Sequence, residues 1–313
     1  MSCEKKRKQL VFNLTTQYSI LNTHNFHIKD TYVVKDAMGL LNKIVSGGQT
    51  GADRAALDFA IKFNIPHGGW ITKGRRTESG PLPDFYKLRE MDTRDYPART
   101  RQNILDSDGT VIIARGPLTG GSSLTHAFAR KTGKWVCRIN LLEQDIFEAA
   151  LILHAFILDQ DIRSLNVAGP RASHDPDIYF DVKTILTAVL YLDFLETEDD
   201  SWQAEQMIDQ RFNFPRSFIN IKQAIQALEQ SLTFRGKILI ARSEAHHMSG
   251  IYFTLLEYVQ VSLNLDEINS GLFKSLSKGR DLKEYTPEDA VMELLKELKT
   301  RLSKRFQLRV VPS

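Results

Sequence analysis

Lys43-Ile44-Val45-Ser46-Gly47-Gly48-Gln49-Thr50-Gly51-Ala52-Asp53-Arg54 decides how this chain is read. A short β-type run ends in two glycines, and a helix begins a few residues later. From about Asp53 to Phe63, the residues Ala56, Phe59, Ala60 and Phe63 fall on one helical face. Strand, glycine turn and helix in this order open a β–loop–α unit. Glycines let the backbone turn tightly and let N–H groups face a ligand without a Cβ in the way. The helix start adds partial positive charge, which favours an anion, usually phosphate. A plain turn, with Thr50 as helix cap and Asp53 as its box partner, also accounts for those two residues. It accounts less well for Gly47, Gly48 and Gln49.

The same signature returns downstream. Thr110-Val111-Ile112-Ile113-Ala114 is a strand run, followed by Arg115-Gly116-Pro117-Leu118-Thr119-Gly120-Gly121-Ser122-Ser123 and a helix to about Thr132, stopped by Gly133. Trp135 to Ile139 is a third run. Leu165 to Ala168 is a fourth, ending in Gly169-Pro170-Arg171-Ala172-Ser173. Helical patterns fill about 143–160 and 176–194. Repeats of this kind predict an α/β domain built on a mainly parallel sheet with helices on both faces. Ligands on such sheets sit beyond the carboxyl ends of the strands, which here are the glycine-rich segments.

The candidate ligand residues follow. Gly47, Gly48, Gln49, Thr50 and Gly51 are placed to cradle phosphate. Gly120, Gly121, Ser122 and Ser123 are placed for a second phosphate or a sugar, or Ser122 or Ser123 simply caps the helix. Arg115 and Arg171 supply charge, with Gly169 ending the strand before Arg171; Arg binds phosphate bidentately. The segment from Gly68 to Arg76, with Gly80, Pro81 and Pro83 beyond it, is long enough to be functional. In it Lys73, Arg75 and Arg76 suit an anion-facing lid, and Trp70 either stacks on a base or sits in the core. Arg99, Asn103 and Asp106 share a helical face, turned to substrate or to solvent.

Composition sets the frame. The chain has 313 residues, enough for about two domains. The net charge of +3 carries no specific nucleic-acid signal. Cys3 and Cys137 exclude a disulfide scaffold and a multi-cysteine zinc site, and fit a reducing compartment. His246-His247 has only Glu244 close by, so no metal site is expected. Ala149–Leu158, the longest apolar run, is too short to span a bilayer. Lys5-Lys6-Arg7-Lys8 is followed by no apolar h-region. A cytoplasmic protein without a membrane partner is the expectation. No Walker A, nucleophile-elbow or zincin pattern is present.

The domain boundaries are read as an N-terminal extension over 1–41, the α/β domain over 42–194, an acidic linker over 195–215 and a mainly α-helical domain over 216–313. In the last, Phe218, Ile221, Ile225, Leu228 and Leu232 keep helical spacing, and Ile251–Leu263 is a second helix. Thr286-Pro287-Glu288-Asp289 opens a third. Gly236-Lys237-Ile238-Leu239-Ile240-Ala241 reads as a strand opened by a glycine, paired with a strand-like run from Phe306 to Val311.

Several of these segments also occur together in a known order: Ile44 to Asp53, Lys73-Gly74-Arg75-Arg76, Thr100 to Asn103 through Asp106 to Thr110, Arg115 to Gly121, and Leu165 to Arg171. Over about residues 42–192 they resemble the circularly permuted YpsA-related branch of the SLOG superfamily, labelled "putative molybdenum carrier proteins". The resemblance implies a Rossmann-like fold, with Val167–Arg171 taking the place of the first strand of non-permuted relatives. It implies a small phosphorylated partner, a nucleotide or nucleotide-derived ligand, in the glycine-rich cleft. A molybdopterin-type cofactor would act there through its phosphate and ring. The superfamily also contains the lonely-guy phosphoribohydrolases, which carry a glutamate on the helix after a glycine-rich loop. Here Gly120-Gly121 is followed by Ser122, Ser123, Leu124, Thr125, His126 and Ala127. No glutamate stands there, so the alternative, a base-releasing hydrolase of nucleoside monophosphates, needs another carboxylate, with Asp53 as candidate catalytic acid/base and Asp58 the other nearby. The C-terminal helices are expected to make a homo-oligomer or to couple ligand occupancy to a partner.

Overall fold

A computed structural model of the chain describes residues 40–197, 204–215, 217–218, 220–244, 247–265, 271–280 and 285–305. The expectations for residues 1–39 and for the strand at Phe306–Val311 lie outside the described residues. In chain order the elements up to residue 197 are β1 (Lys43–Val45), α1 (Ala52–Lys62), β2 (His67–Gly68), β3 (Trp70–Ile71), β4 (Arg76–Thr77), β5 (Gly80–Pro81), β6 (Arg89–Glu90), α2 (Tyr96–Leu105), β7 (Gly109–Ala114), α3 (Gly120–Lys131), β8 (Trp135–Asn140), α4 (Ile146–Asp159), β9 (Ser164–Ala168) and α5 (Ile178–Thr197).

Five of the strands form one sheet in the order β2–β1–β9–β7–β8. β1 runs parallel to β9, β9 to β7 and β7 to β8, with Ile44 opposite Leu165 and Val111 opposite both Val167 and Cys137. All six residues of β7 are buried. A strand buried on both faces belongs to a parallel sheet covered by helices on both sides, which is the Rossmann-like α/β architecture. Inside the sheet the Asn166 amide donates to the Thr110 hydroxyl at 3.1 Å, so the two buried polar side chains satisfy each other. The apolar face of α1 is buried as its spacing implies, with Ala52, Ala55, Ala56, Phe59, Ala60 and Phe63 each at most 3% exposed.

The chain divides into two compact units. One takes residues up to Ala56 together with Gly68–Val189; the other takes Leu57–His67 together with residues from Leu190 onward. The second unit is helical, with α6 (Ala204–Met207), α7 (Ile221–Ser231), α8 (Phe234–Arg242), α9 (Met248–Ser262), α10 (Gly271–Leu276) and α11 (Pro287–Arg305). Val291, Leu294, Leu295, Leu298 and Leu302 of α11 are buried. Asp289 accepts the Thr286 N–H and hydroxyl, each at 3.1 Å, and pairs with Lys62 at 3.1 Å. The Phe63 ring meets Tyr252 edge-on at 5.4 Å and stacks on Phe253 at 6.0 Å.

The strand read at Gly236–Ala241 is instead the body of α8. Thr233 caps it, its hydroxyl accepting the Gly236 N–H at 3.1 Å. Gly236 serves close packing: a Cβ there would lie 2.5 Å from the Met207 carbonyl. A short apolar run cannot distinguish strand from buried helix by periodicity alone.

Candidate functional site

Because β1, β9 and β7 are parallel neighbours, the loops that leave their carboxyl ends lie along one sheet edge. Glycine makes their close approach possible. Gly51, at φ +73°, backs onto Pro170–Ala172, where a Cβ would lie 2.6 Å from the Pro170 carbonyl. Gly169 is wedged between the Ile113 carbonyl and the Ala52 methyl, 2.5 and 2.6 Å from where its Cβ would stand. The Ala52 N–H donates to the Pro170 carbonyl at 3.2 Å, and the Ala172 N–H to the Thr50 hydroxyl at 3.3 Å. Arg115 splits its guanidinium between Asp175 in the loop after β9 and Asp181 in α5.

Within the first loop, Gly47, Gly48 and Gln49 are buried. Arg99 roofs Gly47, its Nη1 lying 1.6 Å from where a Cβ would stand, and the Leu82, Leu88 and Ile71 side chains cover Gly48. Two amides of this loop already have internal acceptors: Gln49 N–H donates to Asp53 Oδ2 at 3.2 Å and Thr50 N–H to Gln49 Oε1 at 3.1 Å. Asp53 is 7% exposed and receives Arg99 Nη1 at 3.5 Å. Burial pushes its carboxyl above the ordinary aspartate range, against the pull of Arg99, the Gln49 amide, Ser46 and Arg171. Tyr96 lies beside both cations, its ring 5.7 Å from Arg99 Cζ and 5.2 Å from Arg171 Cζ. Arg171 makes no ion pair within 4 Å among the described residues.

At the second loop the helix cap is Thr119, which makes no side-chain cap bond, rather than Ser122 or Ser123. Space is open where Gly120 and Gly121 would carry a Cβ, and their N–H groups meet no acceptor among the described residues. Ser122 is buried and Ser123 exposed. Arg75 behaves differently from the other candidates. At φ +49°, its guanidinium donates to the carbonyls of Leu82, Pro83 and Tyr86 at 2.9 Å and of Leu88 at 3.2 Å, so its donors hold the long loop together.

Of the stripe on α2, Asn103 is buried, while Asp106, the residue that caps the helix, is exposed. Asn103 accepts the Trp70 N–H at 2.7 Å and donates to the Trp70 carbonyl at 3.2 Å, while the indole N–H of Trp70 donates to Asp106 at 2.7 Å. Sequence reasoning missed Tyr96, Asp175, Asp181 and Glu78. Glu78 sits in the turn between β4 and β5 and bonds Thr50 and Ser173. Among the described residues no group of three or more His, Cys, Asp or Glu is placed to hold a metal ion. No helix there is long and apolar enough to cross a membrane. A separate groove of 940 Å³ in the second unit, lined by Ile225, Leu276, Leu294, Lys222 and Arg301 among others, contains none of the candidate site residues.

The model of the circularly permutated YpsA SLOG family matches residues 44–190. A crystal structure titled "putative molybdenum carrier protein", from Syntrophus aciditrophicus SB, is 51% identical in sequence. The match covers 49% of this chain and 96% of that one, with a TM-score of 0.48. The chain belongs to the circularly permutated YpsA SLOG family. No curated protein matches it. The family match spans the sheet and all three loops of the edge described above. The helices from α6 onward lie outside it.

Proposed function

We propose that the sheet edge formed by the loops after β1, β9 and β7 binds a phosphorylated nucleotide or nucleotide-derived ligand. The observation that carries this is the convergence of unlike anion donors at one edge of a parallel sheet. The uncovered Gly120 and Gly121 amides at the start of α3 suit one phosphate oxygen set. Arg171, with Tyr96 beneath its guanidinium, and the Thr50 and Ser173 hydroxyls suit another. Gly47, Gly48 and Gln49 act as the packed floor, while Gly51 and Gly169 let the loops close on one another. Family membership supports a nucleotide-related ligand.

The relative's title names a molybdenum carrier. The donors here are amides, hydroxyls and guanidiniums, which fit oxyanions and offer no soft ligand to a metal centre. A molybdopterin-type ligand would therefore be held through its phosphate. A base-releasing reaction would need Asp53 to reach substrate, and Asp53 is committed to Gln49 and Arg99.

The test is to denature the purified protein and identify any released small molecule by mass spectrometry. Calorimetry with a panel of nucleoside monophosphates follows, with chromatography for free base. A phosphorylated ligand, with affinity about 10- to 100-fold weaker in Arg171→Ala, is the expected result. No binding by any member of the panel and no phosphorylated molecule released would defeat the proposal.

A further inference from the structure

The β4–β5 turn sets Glu78 against the loops after β1 and β9. Its carboxylate accepts from the Thr50 hydroxyl, from the Ser173 amide at 3.1 Å and from the Ser173 hydroxyl at 2.7 Å. Its own N–H donates to Gln49 Oε1 at 2.8 Å, the same oxygen that takes the Thr50 N–H. Arg171 lies within electrostatic reach of the carboxylate. Glu78 is an exposed residue, so burial does not force these bonds on it. Partial burial is the largest single influence and pushes its carboxyl up, but the Thr50 and Ser173 bonds and Arg171 together outweigh it, so the carboxyl lies below the ordinary glutamate range. Two hydroxyls, an amide and a nearby guanidinium make a donor set that suits a phosphate at least as well as a carboxylate. The donors come from two of the edge loops, and the acceptor from a hairpin outside them.

We propose that Thr50, Ser173 and Arg171 form a phosphate-monoester subsite, in which the Glu78 carboxylate is a tethered stand-in that the ligand displaces. This rests on the assignment of the edge as a phosphate site and adds which donors take the phosphate and what must leave first. The mobile piece is small. Arg75, bound to four loop carbonyls, fixes the base, and the hairpin beyond it contains Gly80, at φ +104° with nothing within 4 Å of a Cβ. Displacement thus lifts residues 76–81 and leaves the loop from Leu82 to Leu88 in place. The stand-in also selects: a ligand bearing a single carboxylate exchanges like for like, whereas a dianionic phosphate gains charge at Arg171 when Glu78 leaves. The apparent affinity falls by the fraction of molecules in which Glu78 holds the subsite.

The probe is inorganic phosphate at mildly alkaline pH, read by calorimetry and phosphorus NMR on the full chain. The proteins are wild type, Glu78→Ala and Glu78→Gln, each checked by circular dichroism; the Gln variant keeps length and removes charge. Phosphate is expected to bind the two variants about tenfold tighter than wild type. Adding Ser173→Ala to Glu78→Gln is expected to remove that gain. Equal affinity in all three proteins, no phosphate binding by any of them, or a gain that survives Ser173→Ala overturns the proposal. The nucleotide assignment fails separately. In that case phosphate still shows the Ser173-dependent gain, but no nucleoside monophosphate competes it off Glu78→Gln.

Discussion

Asp53 and Arg99 hold the first glycine loop shut. The carboxylate takes the Gln49 amide from one side and Arg99 from the other, and Arg99 in turn covers Gly47. Both side chains are largely removed from water, at 9% and 13% exposure. Removing one partner of such a pair leaves the other buried and uncompensated. Arg99→Leu is therefore expected to cost about 3–5 kcal/mol near neutral pH. The cost should depend on pH with a definite sign. Burial already raises the folded carboxyl above its unfolded value of about 3.9. The stability contributed by the protonated form is therefore present below that value and is lost as pH rises through the folded one. Without Arg99 the folded value climbs further, although Arg171, Ser46 and the Gln49 amide still face the group. The gap between wild type and variant should be small near pH 4 and widen toward pH 7.5 in urea unfolding curves. A gap that stays constant across that range would show that Asp53 is not the group left exposed to the loss. Gly47, Gly48, Thr50 and Asp53 stand out in the sequence as a strand–turn–helix junction, but the pattern does not say that Arg99, Leu82, Leu88 and Ile71 pack over the two glycines. Glu78 does not stand out, because an acidic residue in a polar turn looks the same whether it faces water or a hydroxyl on a loop 28 residues earlier in the chain.

The stripe Arg99–Asn103–Asp106 illustrates what spacing can say about an element. Its three residues do share one face of α2, but spacing alone left open whether that face meets ligand or water. Asn103 and Asp106 meet the backbone and indole of Trp70, and Arg99 meets Asp53. Asn103 acts as a strand neighbour at the start of β3, its amide satisfying both the N–H and the carbonyl of Trp70. Asn103 is 2% exposed, so Leu in its place would strand two backbone groups with little access to water. Asn103→Leu is expected to lower stability by about 1–3 kcal/mol and to shift Trp70 fluorescence. An unchanged unfolding midpoint would mean that water replaces the side chain and that β3 does not depend on it. The misread element, α8, has the opposite lesson. Ile238-Leu239-Ile240 has β-type composition, and the glycine before it looked like a strand opener. One deciding fact is local, the Thr233 cap, and the other tertiary, the approach of the Met207 carbonyl to Gly236.

The order of strands in the sheet explains why loops far apart in sequence form one edge. β9 enters between β1 and β7, so the loop after residue 168 lands between loops that follow residues 45 and 114. The repeated strand–glycine–helix pattern makes the parallel sheet readable, and with it the carboxyl edge, which is where ligands of such sheets sit in general. It did not reveal which donors are free, because that depends on side chains such as Arg99, Leu82 and Glu78 brought in from outside the repeats. If the edge binds a phosphorylated nucleotide, the whole chain should report it by hydrogen exchange. A nucleoside monophosphate at about a hundredfold its Kd stabilises the binding-competent state by about 2.7 kcal/mol. Exchange is expected to slow in peptides covering 46–51, 119–123 and 170–175, whose amides lie in or beside the edge. The same ligand should speed exchange in 76–81, since the Glu78 contacts that hold that hairpin are given up. Peptides from α7 and α11, which carry none of the candidate donors, should change least. Slowing concentrated in α7 and α11, with the edge loops unaltered, would move the ligand to the groove of the second unit and leave the glycine loops as packing devices of the sheet.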